Sequence, residues 1–296
     1  MANLKEVRAR ISSVISTQQI TKAMKLVSAT KLRRAQTAIV QMRPYAAKLQ
    51  SIMANLSGAG TDIVAPYFTV RETGKVLVIV ITSDRGLCGA FNANVFKKAS
   101  QLINTKYATQ KAAGKVTVIP IGKKGFEAFQ KTSVRVNPDY RETFLTLNAE
   151  LAFNIAHHII QLYLTREYDV VEIVYNQFKN ASTQILVSEQ FLPISTEATK
   201  ESKDKKPVAA INYIFEPSQE EILSELIPRT LKTQFYRALL ESVAGEHGAR
   251  MIAMDKATEN AGELLKALKL QYNQARQAAI TNEISEIVGG AAALQG

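Results

Sequence analysis

The chain is 296 residues long, 46% hydrophobic and 21% charged, a balance that excludes wholesale disorder and allows one or two domains. Its formal net charge is +11, and its single cysteine, Cys88, excludes an internal disulfide and a zinc cluster. No stretch approaches the ~20 consecutive apolar residues of a membrane helix, and the opening Met-Ala-Asn-Leu-Lys-Glu has no apolar signal core, so membrane association is expected only through a partner.

Residues 1–56 contain one proline, Pro44, and no glycine. Leu4, Val7, Ile11 and Val14 step by three and four, and Ala35, Ala38, Met42, Tyr45, Leu49, Ile52 and Leu56 do the same. That is a heptad seam. Between the two blocks it weakens into Gln18, Thr21 and Lys25. A helix of this length spans ~80 Å at ~1.5 Å per residue, too long to be buried in one small domain. It must protrude or pair with another helix, and Pro44 is a possible kink. The segment carries ten Lys or Arg against one acid, Glu6, a balance of +9 that accounts for most of the net charge. Such a surface suits an acidic protein, nucleic acid or anionic lipid, or is a solvated helix face.

Residues 57–216 read as an α/β domain. The run Lys75–Thr82 is apolar and β-branched without alternation, as in a strand covered on both faces. Lys115–Gly122 reads as a second strand, with Pro120 arguing for an edge or a strand end, and Asp169–Tyr175 as a third. Gln184–Ser188 follows as a hairpin partner, and Ile211–Phe215 is a candidate last strand. Helical patterns near 92–112, 123–131 and 147–166 separate them, which predicts a largely parallel sheet with packed helices. Residues 196–207 are a charged linker or loop.

Residues 217–296 predict the partner helix. Pro217 and Pro228 punctuate its start, Pro228 marking either a first turn or the break after a short leading helix. Ala261, Leu265, Leu268, Tyr272, Ala275 and Ala279 repeat the heptad steps. Gly245, Gly248 and Gly262 lie inside the pattern; each costs the helix up to ~1 kcal/mol, and close approach of another backbone would be the structural gain. The expected fold is a long antiparallel coiled coil of the N- and C-terminal helices plus a central Rossmann-like α/β domain.

Few residues offer chemistry. Ser83-Asp84-Arg85-Gly86-Leu87-Cys88-Gly89 follows a strand and precedes a helix, a position that often holds phosphates or catalytic groups. There is no Walker loop and no dinucleotide fingerprint, and only His157, His158 and His247 could activate Cys88. A tight structural turn using both glycines is the better reading. Gly122-Lys123-Lys124-Gly125 is read as a surface turn rather than an anion site. His157 and His158 diverge by ~100° on a helix, a poor metal-ligand spacing. Nucleic-acid binding is weighed because of the +9 segment, but Lys22–Arg34 has no aromatic for base stacking.

Three blocks carry a resemblance. They are Thr17-Gln-Gln-Ile-Thr-Lys-Ala-Met24 with Ser28-Ala-Thr-Lys-Leu-Arg-Arg34, then Thr82-Ser-Asp-Arg-Gly-Leu-Cys-Gly-Ala-Phe-Asn92, then Ile280-Thr-Asn-Glu-Ile-Ser-Glu-Ile-Val-Gly-Gly-Ala-Ala-Ala293. Together they resemble the gamma subunits of F-type ATP synthases along nearly the full chain. The resemblance implies a rotor shaft whose end turns inside a hexamer of alpha and beta subunits. It implies that the α/β domain and foot contact the epsilon subunit and the ring of c subunits, and that nucleotide sites lie on the partners, so this chain is no catalyst and holds no cofactor or metal. Lys22, Met24, Lys25, Arg33 and Arg34 become the expected contacts with an acidic lever of the beta subunits, polar rather than greasy so that the shaft can turn. Thr281, Asn282, Glu283 and Glu286 become the matching contacts on the last helix; Asn282 stands where relatives often carry Gln or Lys. Asp84, Arg85, Gly86, Cys88 and Gly89 belong to the central block. With Cys88 alone the chain lacks the cysteine pair of the chloroplast redox switch. The implied setting is the cytoplasmic face of a bacterial inner membrane.

Overall fold

The computed structural model describes residues 4–56, 65–194 and 218–295. The chain forms two compact units, Met1–Ala29 with Arg250–Gly296, and Thr30–Ala249. Helix α1 (Leu4–Leu56) and helix α7 (Gln219–Gln295) contribute to both.

The second unit holds a five-stranded sheet. Its strands are β1 (Val76–Ile81), β2 (Val116–Ile121), β3 (Arg135–Val136), β4 (Val170–Phe178) and β5 (Gln184–Leu192), ordered β3-β2-β1-β4-β5. The first four are parallel and β5 runs antiparallel to β4. Every residue of β1 is buried, which is why its run is apolar without alternation. Leu77, Ile79 and Ile81 face a core with Ile155, Ile159 and Tyr163 of α6 (Ala149–Leu164) and Leu223, Leu231 and Phe235 of α7. Val76, Val78 and Val80 face the other core, with Val95, Ala99 and Ile103 of α3 (Phe91–Thr105) and Phe129 of α5 (Lys123–Phe129). Asn148 caps α6 by accepting from Leu151 N at 2.7 Å.

Several elements differ from expectation. The pattern over 92–112 is two helices, α3 and α4 (Ala108–Ala112). The break falls beside Tyr107, which leaves helical geometry (φ −118, ψ 28), is 3% exposed, and donates from its hydroxyl to Glu172 Oε1 at 2.7 Å. Of the two alternatives for Pro120, an edge or a strand end, the second holds, since β2 lies between β1 and β3 and Pro120 is its penultimate residue. Pro120 is tolerated because it sits near the strand end. Asn137 N donates to Val118 O on the β3 side; Pro120 shares that side by the period of two, and β3 pairs only with Thr117 and Val118. Pro228 lies inside α7, which begins at Gln219, so it neither opens nor breaks the helix. Likewise α1 runs through Pro44 to Leu56. The short helix α2 (Ala65–Phe68) and a 3-10 turn (Thr143–Leu145) complete the unit. The expected linker 196–207 and strand Ile211–Phe215 lie outside the described residues.

The glycines of α7 mark close packing. A Cβ on Gly245 would lie 3.2 Å from Gln184 Cγ and 3.3 Å from Phe91 Cε2, and one on Gly248 would lie 3.1 Å from Ala181 O. The helix therefore rests backbone-close on the β4–β5 hairpin, where a larger residue would force it away. Among the described residues no helix is long and apolar enough to cross a membrane.

Candidate functional site

In the first unit α1 and α7 pair antiparallel. Arg8 Nη2 donates to the Tyr272 hydroxyl at 2.8 Å, Thr258 Oγ1 to Thr21 Oγ1 at 2.7 Å, and Lys25 Nζ pairs with Asp255. Numbers rise on one helix as they fall on the other. Val7, Met254, Ala261 and Leu268 are buried in this seam, with Thr21 and Ser28. The weak stretch of the α1 heptad is thus a polar seam with its own partners. Gln18 Nε2 also reaches Thr258 O at 3.5 Å, and a Cβ on Gly262 would come within 3.1 Å of that amide nitrogen. Asp255 and Thr258 were the residues that pattern reading missed. The signal was present: two polar residues three apart, in antiparallel register with Thr21 and Lys25.

The expected contact residues divide by what they touch. Lys22 is exposed, whereas Met24 is half-buried and Lys25 is held by Asp255 with 40% of its side chain exposed. In the second unit Arg33 and Arg34 are exposed. The face around Lys22 is not purely polar, because Ile20, Leu26 and Val27 are 59%, 63% and 56% exposed. That corrects the picture of a polar, non-greasy surface. The end of α7 is a bare helix: residues 276–291 are all exposed, Thr281, Asn282, Glu283 and Glu286 among them. Ile280, Ile284, Ile287 and Val288 form a stripe at steps of four, three and one, each at least 47% exposed. Thr281 Oγ1 only returns to its own helix, at Gln277 O.

The central block is a structural corner of the second unit. Cys88 is 2% exposed, with Asn92 Nδ2 donating to its sulfur at 3.3 Å and Ser83 Oγ 3.8 Å away. Leu87 and Gly89 take the left-handed conformation (φ 60 each), so the turn uses Gly89 and Leu87 rather than both glycines. Arg85 is exposed and Gly86 half-buried. Asp84 Oδ1 accepts from Lys123 N at 3.2 Å, and Thr82 Oγ1 accepts from Gly125 N at 2.8 Å. Burial raises the Asp84 carboxyl, and the Lys123 amide opposes that. The Gly122–Gly125 turn is therefore no plain surface turn. Gly122 (φ 100) and Gly125 are buried against the end of β1, and the amides of Lys123 and Gly125 are taken by the chain's own Asp84 and Thr82 side chains. His157 and His158 are exposed, and His158 Nδ1 bonds the Tyr140 hydroxyl. No group of three or more His, Cys, Asp or Glu that could hold a metal occurs among the described residues.

Comparison with known proteins agrees with this architecture. The ATP synthase family model matches residues 3–294. The chain is 56% identical to the ATP synthase gamma chain of Cytophaga hutchinsonii over 99% of each chain. It is 53% identical to that of Flavobacterium johnsoniae over the whole of both. Among solved structures, it is 27% identical to a chain of the Tetrahymena thermophila mitochondrial ATP synthase central stalk and c-ring, with a TM-score of 0.57, covering 80% of this chain and 99% of that one. A chain of the Euglena gracilis ATP synthase rotor shares the fold with a TM-score of 0.61, at 22% identity over 94% of this chain and 98% of that one. A family model spanning nearly every residue, and relatives sharing more than half of them end to end, leave one conclusion: the chain belongs to the ATP synthase gamma chain family.

Proposed function

We propose that this chain is the central rotor shaft of a proton-translocating ATP synthase. It couples rotation of a c-subunit ring to conformational cycling of catalytic beta subunits, and so regulates ATP hydrolysis and ion flow. The observation that carries the reading is the bare end of α7. Its apolar stripe at Ile280, Ile284, Ile287 and Val288 lies C-terminal to the Arg8–Tyr272 bond, and an exposed stripe of this kind marks a surface for a partner. An enclosing alpha/beta hexamer would cover it, with Thr281, Asn282, Glu283 and Glu286 meeting the partner at the same level. Lys22, Met24, Lys25, Arg33 and Arg34 would meet the beta subunits from α1. Residues 1–56 and 217–296 would act as the shaft and 57–216 as the domain that receives the epsilon subunit and the c-ring. The chain itself would be non-catalytic and peripheral, on the cytoplasmic face of a bacterial inner membrane. The buried Cys88 and the Asp84 bonded to Lys123 N support a structural central block.

Reconstitution with the alpha and beta subunits of the same organism tests this. One copy should co-elute per hexamer and raise multi-site ATP hydrolysis. A hexamer that turns over equally well without the chain would refute the shaft assignment.

A further inference from the structure

Where α7 covers the sheet, the second unit gathers a set of charged groups, Glu241 buried and Glu189 and Arg237 half-buried. Glu189 comes from β5, Tyr175 and Gln177 from β4, and Gln234, Arg237 and Glu241 from α7. Arg43 of α1 adds a positive charge near Glu241, and Glu172 of β4 a negative one near Glu189. Gln234 and Tyr175 beside Glu189, and Gln177 beside Glu241, favour the charged forms of those carboxylates. Arg237 Nε stands 3.8 Å from Glu241 Oε1, too far for a hydrogen bond. Glu189 Oε1, Glu241 Oε2 and Arg237 Nε are all buried with no hydrogen-bond partner. Two carboxylates therefore converge on one arginine, and each keeps an oxygen without a donor. Buried carboxylates in that state are strongly disfavoured as a doubly charged pair.

We propose that Glu189 and Glu241, set about the single Arg237, form a protonation latch that seats α7 on the β4–β5 hairpin. With a proton on the pair, one carboxylate balances Arg237 and the helix is held. When the proton leaves, two negative charges face one arginine and the helix loosens. Burial is the main cause raising both carboxyls; Glu172 raises Glu189 further and Glu189 raises Glu241, while Arg237 opposes both. The folded chain thus holds these protons more tightly than the unfolded chain. The stability they contribute is fully present below the ordinary glutamate value of about 4.3 and is lost as pH rises through the raised values. The consequence for torque rests on the shaft reading, because α7 would carry the load. The latch itself does not, so its test stands or falls separately from reconstitution.

The test is hydrogen–deuterium exchange on the full chain from about pH 5 to about pH 8, corrected for intrinsic exchange rates and read in α7 around Leu231–Ala244. Wild type should lose protection as pH rises, roughly tenfold for each unit by which the pair is raised. Glu189→Gln and Glu241→Gln should each flatten that slope and be at least as protected as wild type at the alkaline end. Arg237→Gln should steepen it. A wild type with no slope, Gln variants that keep it, or Gln variants equally deprotected at every pH would overturn the latch.

Discussion

The polar seam of the first unit makes a quantitative prediction. Thr21 is 8% exposed and its hydroxyl meets that of Thr258 at 2.7 Å across the helix pair. Each hydroxyl also has a carbonyl on its own helix, Gln18 O at 3.0 Å for Thr21 and Met254 O at 2.7 Å for Thr258. Thr21→Val or Thr258→Val therefore removes one cross-helix bond without orphaning the survivor, which turns to its own carbonyl. The loss is about 1 kcal/mol for each single change, not the ~2–3 kcal/mol of a stranded buried group. The double variant leaves no hydroxyl to satisfy and places two methyl groups in the seam, each recovering up to ~0.8 kcal/mol if fully buried. Each single change gains one of these methyl groups as well, so that gain cancels in the cycle; the double variant loses the same one bond as either single, and the two changes are non-additive by about 1 kcal/mol. Urea unfolding of the full chain, followed by far-UV circular dichroism, measures all four corners of the cycle. Costs that simply add, to about 2 kcal/mol, would show that the seam is held elsewhere and that the bond contributes nothing specific.

Other perturbations separate contact from support. Gly122→Ala should cost at least ~3 kcal/mol, because at φ 100 its Cβ would lie 2.3 Å from Thr82 O; a melting temperature unchanged from wild type would contradict it. At the buried Glu172, 2% exposed, Lys106→Met should cost about 2–3 kcal/mol by leaving a carboxylate with the Tyr107 hydroxyl alone, whereas Glu172→Gln, still an acceptor for Tyr107, should cost about 1 kcal/mol; the reverse order in denaturant titrations would refute this. Burial holds the phenols of Tyr107, beside Glu172, and Tyr175 well above the usual tyrosine range, so in an ultraviolet titration these two of ten tyrosines should ionise last; since the folded state keeps their protons, stability should fall as pH rises above about 10. In the reconstituted complex, Lys22→Ala should lower stimulated ATP hydrolysis. Lys25→Met should do so by more than Asp255→Asn, since their exposed pair contributes only ~0.5 kcal/mol and equal losses would mean that Lys25 acts through Asp255 alone.

How far sequence reading reached depended on whether a feature is local. The unbroken run Val76–Ile81 identified a strand covered on both faces because burial itself selects such residues. The heptad steps identified two helices because each step needs only its neighbours. Three kinds of feature stayed hidden. Strand β3 has two residues, too few for any periodicity. The helix pattern over 92–112 continues through Tyr107, where the chain leaves helical geometry and the tyrosine hydroxyl meets the distant Glu172, a partner no local pattern shows. The turn Gly122–Gly125 looked generic because glycine serves any turn, while its need for glycine comes from the Thr82 carbonyl that a Cβ would strike.

The candidate site follows the same logic. Lys22, Arg33 and Arg34 could be placed on a helix and assigned to a partner, but whether Lys25 is available depends on Asp255, 230 positions away. Its partner was predictable only once antiparallel register was assumed. The exposed Ile20, Leu26 and Val27 beside Lys22 argue that this face uses both charge and apolar contact. That combination fits a surface that must bind at several angles. Lysine tracks an acidic partner through a range of orientations, while isolated aliphatic side chains exclude water without the interlocking that would fix one angle. The bare stripe of α7 is different in kind: four aliphatic residues on one helical face can be shielded evenly by an apolar sleeve at any rotation. In the reading we propose, a shaft built this way would place its angle-dependent forces on α1 and its bearing contact on the end of α7. Replacing Ile284 and Ile287 with serine should therefore weaken assembly with the hexamer, whereas replacing Lys22 should spare assembly and lower turnover.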